Sequence, residues 1–371
     1  MKLTLLTLII FQIGFIFSQK KLPIIHADSI SVNIKVDGIL YQNAWSIMPE
    51  INPDVYTTSG RKVTFYTNKD SINFKVDKKN TIDFIIVLNK KDTAFTQIKY
   101  LKEVSYLSIL KSAKEYNLKD NRTVPKFTYQ SMNDSNLVKL RKEYNLDSVA
   151  GKGNEVSKIL NLLHWMHNTV RHDGQNGNPE KLNSLNMIPL CKNGSRGLNC
   201  RGLAITLNEC YLSMGFKSRY VTCLPKDSVF DDCHVINMVF SNELNKWIYL
   251  DPTHDAYIMN ENGDLLSIEE VRESLINDKK LILNPTANWN YTVSTVKADY
   301  LYKYMAKNLF RIECPLNSEF DFESYKSGKI YEYVELLPVN TFNQKNQEIL
   351  NKDIKFINQK TNNPNLFWSK P

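Results

Sequence analysis

The chain reads as α+β, a small all-β domain followed by a larger domain in which a helix packs on an antiparallel sheet. Three observations predict this. Short alternating stretches separated by turn residues run from Leu22 to about Ser105. Apolar residues at helical spacing appear in Glu155–Val170 and again from Leu203 to Met214. Two alternating runs, Cys233–Phe240 and Lys246–Asp251, follow that second helix with a short polar link between them, the pattern of a hairpin.

The N-terminus comes first. One lysine precedes a long apolar run that ends in Phe17-Ser18-Gln19. Residues 1–18 read as a secretory signal peptide, which predicts a secreted, periplasmic or cell-surface protein. The alternative is a single N-terminal membrane anchor. No cysteine follows the run, which argues against lipoprotein attachment. No other stretch approaches the roughly 20 apolar residues of a membrane helix, so no stable membrane insertion is expected after cleavage.

Residues 22–118 form the expected β-rich domain. Val32, Ile34 and Val36 alternate, Asp37-Gly38 is a turn signal, and V-T-F-Y-T, I-N-F-K-V and I-D-F-I-I-V-L read as further strands of an antiparallel module. No cluster in it would do chemistry, and Trp45 reads as a core residue. Lys119–Lys126 is a charged, proline-ended linker, and the second domain is taken as residues 119–371. In it, Glu155–Val170 places Val156, Ile159, Leu160, Leu163, Met166, His167 and Val170 on one helical face. Asp173–Ser195 is a loop rich in Gly, Asn and Pro. Ser267 and Glu270 have the spacing of a capping box, and Tyr300–Phe310 is an aromatic-rich helix expected to wrap the core.

Between these elements lie three residues of interest. Asn199 is a good N-cap type, and Gly215 stands where a glycine ends a helix, so Cys200 falls in the first turn. The unpaired N–H groups and partial positive charge there favour a thiolate and can hold an oxyanion, for which the Cys200 N–H is the candidate. His234, Ile236, Met238 and Phe240 share one face of their strand, and Trp247, Tyr249 and Asp251 share one face of the next. A hairpin closed by Ser241–Leu244 pairs Phe240 with Asn245, Met238 with Trp247, Ile236 with Tyr249 and His234 with Asp251. That register sets an imidazole beside a carboxylate. Cys200, His234 and Asp251 are therefore the candidate nucleophile, base and orienting acid. His254 and Asp255, just past Asp251, are alternative partners for the thiol.

Four segments in order, G-L-N-C-R-G-L-A, M-G-F-K-S-R-Y-V, D-C-H-V-I-N-M-V and W-I-Y-L-D-P-T, resemble the transglutaminase-like superfamily, a branch of the papain-like cysteine fold. The resemblance covers roughly Glu155 to Ile258. It implies that the Glu155–Val170 helix packs beneath the Cys200 helix. It also implies attack by Cys200 on an amide of a protein or peptide, release of ammonia or an amine, and a thioester. Water then gives hydrolysis, and a lysine amine gives a crosslink. Members of the superfamily include crosslinking enzymes, peptidases, amide hydrolases and chains that have lost activity. A catalytically silent binding module on the same scaffold is thus the second reading. Arg201 follows Cys200 where many relatives carry a small or acidic residue, and its charge should favour the thiolate.

Other chemistries find less support. The net charge of +8 comes from lysines and arginines scattered among acidic residues, with no compact basic run for nucleic acid. The six cysteines include no C-x-x-C pair, no D-x-D-x-D-G calcium loop is present, and His164 and His167 lack a further ligand. No metal or cofactor is expected. Cys210 and Cys223 read as core residues, and Cys233 points away from His234.

Overall fold

The alternation at the start of the chain becomes eight strands between Ile24 and Tyr100. The computed structural model describes residues 21–102, 105–113, 115–175, 177–194, 196–226 and 232–371, and the stretch read as a signal peptide lies outside them. The chain divides into two units, Met1–Val104 and Ser105–Pro371.

The first unit holds two four-stranded sheets. One is antiparallel throughout, in the order Ile39–Ser46, Ser31–Val36, Lys62–Tyr66, Ser71–Lys75. Asp37 and Gly38, at φ 47° and 99°, close its first hairpin, a turn that favours these two residues. The other sheet is mixed, which corrects the antiparallel expectation. Its edge strands Ile24–Ala27 and Asp54–Thr58 pair in parallel with Ile82–Leu88 and Asp92–Tyr100. Alternation assigns faces but carries no strand direction. Val32, Ile34, Val63, Phe65, Phe84 and Ile86 meet in one buried cluster. Trp45 packs edge-on against Tyr56 and Phe65 there.

The second unit begins ahead of the helix Tyr106–Lys111, not after residue 118. Leu110 is fully buried in this unit's core, and that burial outweighs the polar linker as a boundary signal. The unit is built on a seven-stranded sheet in the order Lys246–Leu250, His234–Ser241, Ser218–Leu224, Arg311–Pro315, Ile330–Leu336, Ile354–Thr361, Gln347–Asn351. All neighbours are antiparallel except Ile330–Leu336 and Ile354–Thr361, which run parallel. The fold is α+β.

The helix Cys200–Ser213 lies against His234–Ser241 and Ser218–Leu224, where Asn237 Nδ2 donates to the Ala204 carbonyl at 2.9 Å. The helix Glu155–Thr169 also packs on it, and the Tyr211 hydroxyl donates to the Ile159 carbonyl at 2.9 Å. Every residue from Gly202 to Ser213 is buried, although the sequence pattern marks one face only. Polar residues on the remaining faces find partners inside. The Glu209 carboxylate accepts from the Ser184 N–H at 2.7 Å and the Asp321 N–H at 2.9 Å, while burial pushes its pKa up to about 8. Gly215, at φ 84°, ends the helix. Phe216 N–H returns to the Tyr211 carbonyl and Gly215 N–H to the Leu212 carbonyl, the Schellman arrangement.

Candidate active site

Cys200 is the first residue of its helix, and Asn199 caps it by accepting the Gly202 N–H at 3.0 Å. All six cysteines are unpaired thiols, and Cys200 is half-buried. Burial pushes its pKa up. Hydrogen bonding from His172 and His234, the charge of His234 and the Val235 N–H outweigh this and bring it down to about 6.

His234 opens its strand and is 1% exposed. Its Nε2 donates to Asp251 Oδ2 at 2.7 Å. Asp251 thereby fixes the tautomer and leaves the buried Nδ1 for the thiol. Burial lowers the His234 pKa, but the charge and hydrogen bond of Asp251, reinforced by Cys200, raise it to about 10. Burial would raise the Asp251 pKa. The His234 charge and hydrogen bond, with His254 and Tyr300, hold it well below the carboxylate range.

The hairpin register differs from the expected one by two residues. Phe240 pairs with Trp247 and Met238 with Tyr249, and the turn is residues 242–245. Ser241 remains in the strand because its buried hydroxyl donates to Glu155 Oε2 at 2.6 Å. Asn245 takes φ 53°, a conformation Asn adopts far more readily than Leu244 would. A two-residue shift keeps every side chain on its face. His234 therefore reaches Asp251 diagonally, past the end of the paired strand.

Comparison with known proteins finds a family match and a similar solved structure. Residues 142–252 match the family model of the transglutaminase-like superfamily. The chain carries a transglutaminase-like domain. A solved structure of a candidate cysteine protease from Cytophaga hutchinsonii is similar over 38% of this chain and 43% of its own, at 21% identity and a TM-score of 0.27. The chain thus spans less than half of that protein's length. No match was found among curated proteins.

The site also gathers residues that sequence reasoning assigned to packing. Tyr300 donates its hydroxyl to Asp251 Oδ2 at 2.6 Å and bonds the Tyr249 hydroxyl at 2.6 Å. Tyr304 sets its ring edge-on to His234 at 5.1 Å. Both belong to Tyr300–Met305, which is wound as a π-helix, an irregularity that helical spacing does not reveal. His172 is held beside the approach to Cys200 by a parallel bridge to Leu198. Its Nδ1 accepts from Trp289 Nε1–H at 3.2 Å, so its Nε2–H is the donor left for the thiol. Nothing in the sequence spacing links His172 to Cys200.

The remaining candidates are engaged elsewhere. His164 bonds Asp255 at 2.8 Å, and His167 uses both ring nitrogens, on the Pro252 carbonyl and Asn288 Oδ1. Among the described residues no group of His, Cys, Asp or Glu is placed to hold a metal ion. His254 bonds Thr295 at 3.0 Å, and burial pushes its pKa down to about 4, so it is neutral at pH 7. Arg201 is turned to Glu323 at 2.6 Å, so its charge is neutralised there and not at the thiol.

Proposed function

We propose that the protein is a cysteine-dependent amide hydrolase or acyltransferase acting on proteins or peptides, exported by means of residues 1–18. One observation carries the reading: a half-buried thiol with its pKa lowered to about 6 is matched with an imidazole raised to about 10, which Asp251 holds at 2.7 Å. Between those values the favoured state is a thiolate beside an imidazolium.

The thiolate attacks the amide carbonyl carbon. The C–N bond breaks, and the His234 imidazolium gives its Nδ1 proton to the leaving amine or ammonia. A thioester remains on Cys200. Water or an amine then attacks the thioester carbonyl carbon, His234 Nδ1 takes the proton of the attacker, and the C–S bond breaks to release the acid or new amide and restore the Cys200 thiolate. Asp251 keeps the Nε2–H throughout. The Cys200 N–H, at the helix start, would hold the oxyanion. Hydrolysis and transfer use the same residues, and the acceptor that reaches the thioester decides between them. The absence of a disulfide at Cys200 favours this reading over a silent scaffold.

The test is incubation with glutamine-containing peptides, with and without a primary amine, followed by mass spectrometry. Loss of ammonia or a new amide that disappears in Cys200→Ala supports the reading. The same products from Cys200→Ala would overturn it.

A further inference from the structure

Beside the triad is a cavity of about 400 Å³. We propose that it takes an apolar side chain, aliphatic or aromatic, of the substrate peptide next to the amide attacked by Cys200, an assignment that rests on the proposed function.

The cavity borders the triad because two of its lining side chains touch triad residues. Tyr300, Tyr304 and His254 form one wall. Tyr300 backs onto Asp251, and Tyr304 lies edge-on to His234. Trp289, Val293 and Val296 form the other wall, and Trp289 bonds His172.

Three polar atoms of these walls are already occupied. The Tyr300 hydroxyl is on Asp251, the Trp289 N–H on His172, and His254 Nδ1 on Thr295. Their ring surfaces are what remains for a ligand. Asp299, the lining carboxylate, is paired with Lys303 at 2.7 Å. Trp289, Val293 and Val296 are 40%, 53% and 59% exposed. Three large apolar side chains open to solvent beside a reactive centre form an apolar patch of the kind that ligands cover.

The experiment titrates N-acetyl-L-phenylalaninamide and N-acetyl-L-serinamide into the full chain, followed by ligand-observed NMR. Burial of the phenyl ring predicts at least about 10-fold tighter binding of the first. Val296→Asp and Val293→Ser are each predicted to abolish the difference. Val296 is a helix N-cap, where aspartate is a favoured residue, so the first variant should fold. Bound phenylalaninamide is also predicted to slow iodoacetamide labelling of Cys200. Equal binding of the two amides, or a difference that survives in both variants, would overturn the subsite. Labelling of Cys200 below pH 8 is read on the same samples. A reactive Cys200 without discrimination removes the subsite alone. Discrimination with an inert Cys200 removes the catalytic reading and with it the assignment of the cavity to a substrate.

Discussion

Tyr300 donates its hydroxyl proton to Asp251 Oδ2, the same oxygen that accepts from His234 Nε2. Thr253 N–H donates to Oδ1 at 2.9 Å, so three donors keep a fully buried carboxylate ionised. Tyr300→Phe removes one of them and leaves the Tyr249 hydroxyl without its partner. A hydrogen bond to a charged group is worth about 1.5–3 kcal/mol. The variant is therefore predicted to melt at lower temperature in calorimetry. Its Cys200 should react more slowly with iodoacetamide at pH 7.

Asp251→Asn tests the orienting role. An amide no longer demands the proton on His234 Nε2 or stabilises the imidazolium. Turnover is predicted to fall by roughly 10³-fold or more, by analogy with other triads. Cys200 labelling at pH 7 should fall as well, because the imidazolium that lowers its pKa is lost. Stopped-flow alkylation measures this directly.

His172 is the other imidazole that lowers the Cys200 pKa. His172→Ala is predicted to move the Cys200 titration midpoint upward from about 6. Trp289→Phe removes the N–H that fixes the His172 tautomer and should shift the midpoint in the same direction by less. An unchanged midpoint in His172→Ala would exclude the contact.

Stability should follow the same pair. The His234 pKa is raised from 6.5 to about 10, so its contribution is complete below pH 6.5 and lost as pH rises through 10. The Cys200 pKa is lowered from 9.0 to about 6, so its contribution is complete above pH 9 and lost as pH falls through 6. The difference in melting temperature between wild type and Cys200→Ala is predicted to be largest between about pH 6.5 and 9 and to narrow at about pH 5. Differential scanning calorimetry across that range checks it.

The sequence makes the architecture around Cys200 legible because local signals agree there. Asn199, the apolar spacing from Leu203 and Gly215 mark one helix, and the alternation in residues 234–240 and 246–251 marks the hairpin. Facing was readable, but register was not, since Ser241 is held in its strand by Glu155, a contact across 86 positions. Strand direction in the first unit escaped for a related reason: the parallel partners are distant in sequence. Tyr300 and His172 escaped because their roles arise from tertiary contacts to Asp251 and near Leu198. The buried polar side of the Cys200 helix was hidden because Glu209 finds its donors in Ser184 and Asp321, on other segments.

The pH dependence of iodoacetamide alkylation, with the site mapped by mass spectrometry on wild type and His234→Ala, tests the central claim most directly. The thiolate–imidazolium pair predicts labelling of Cys200 with a midpoint near pH 6 in the wild type. In the variant the midpoint should move above about pH 8.5, the value of an ordinary thiol, because burial is then opposed by fewer partners. Wild-type Cys200 that reacts only above about pH 8.5, or a profile unchanged in His234→Ala, would contradict the account.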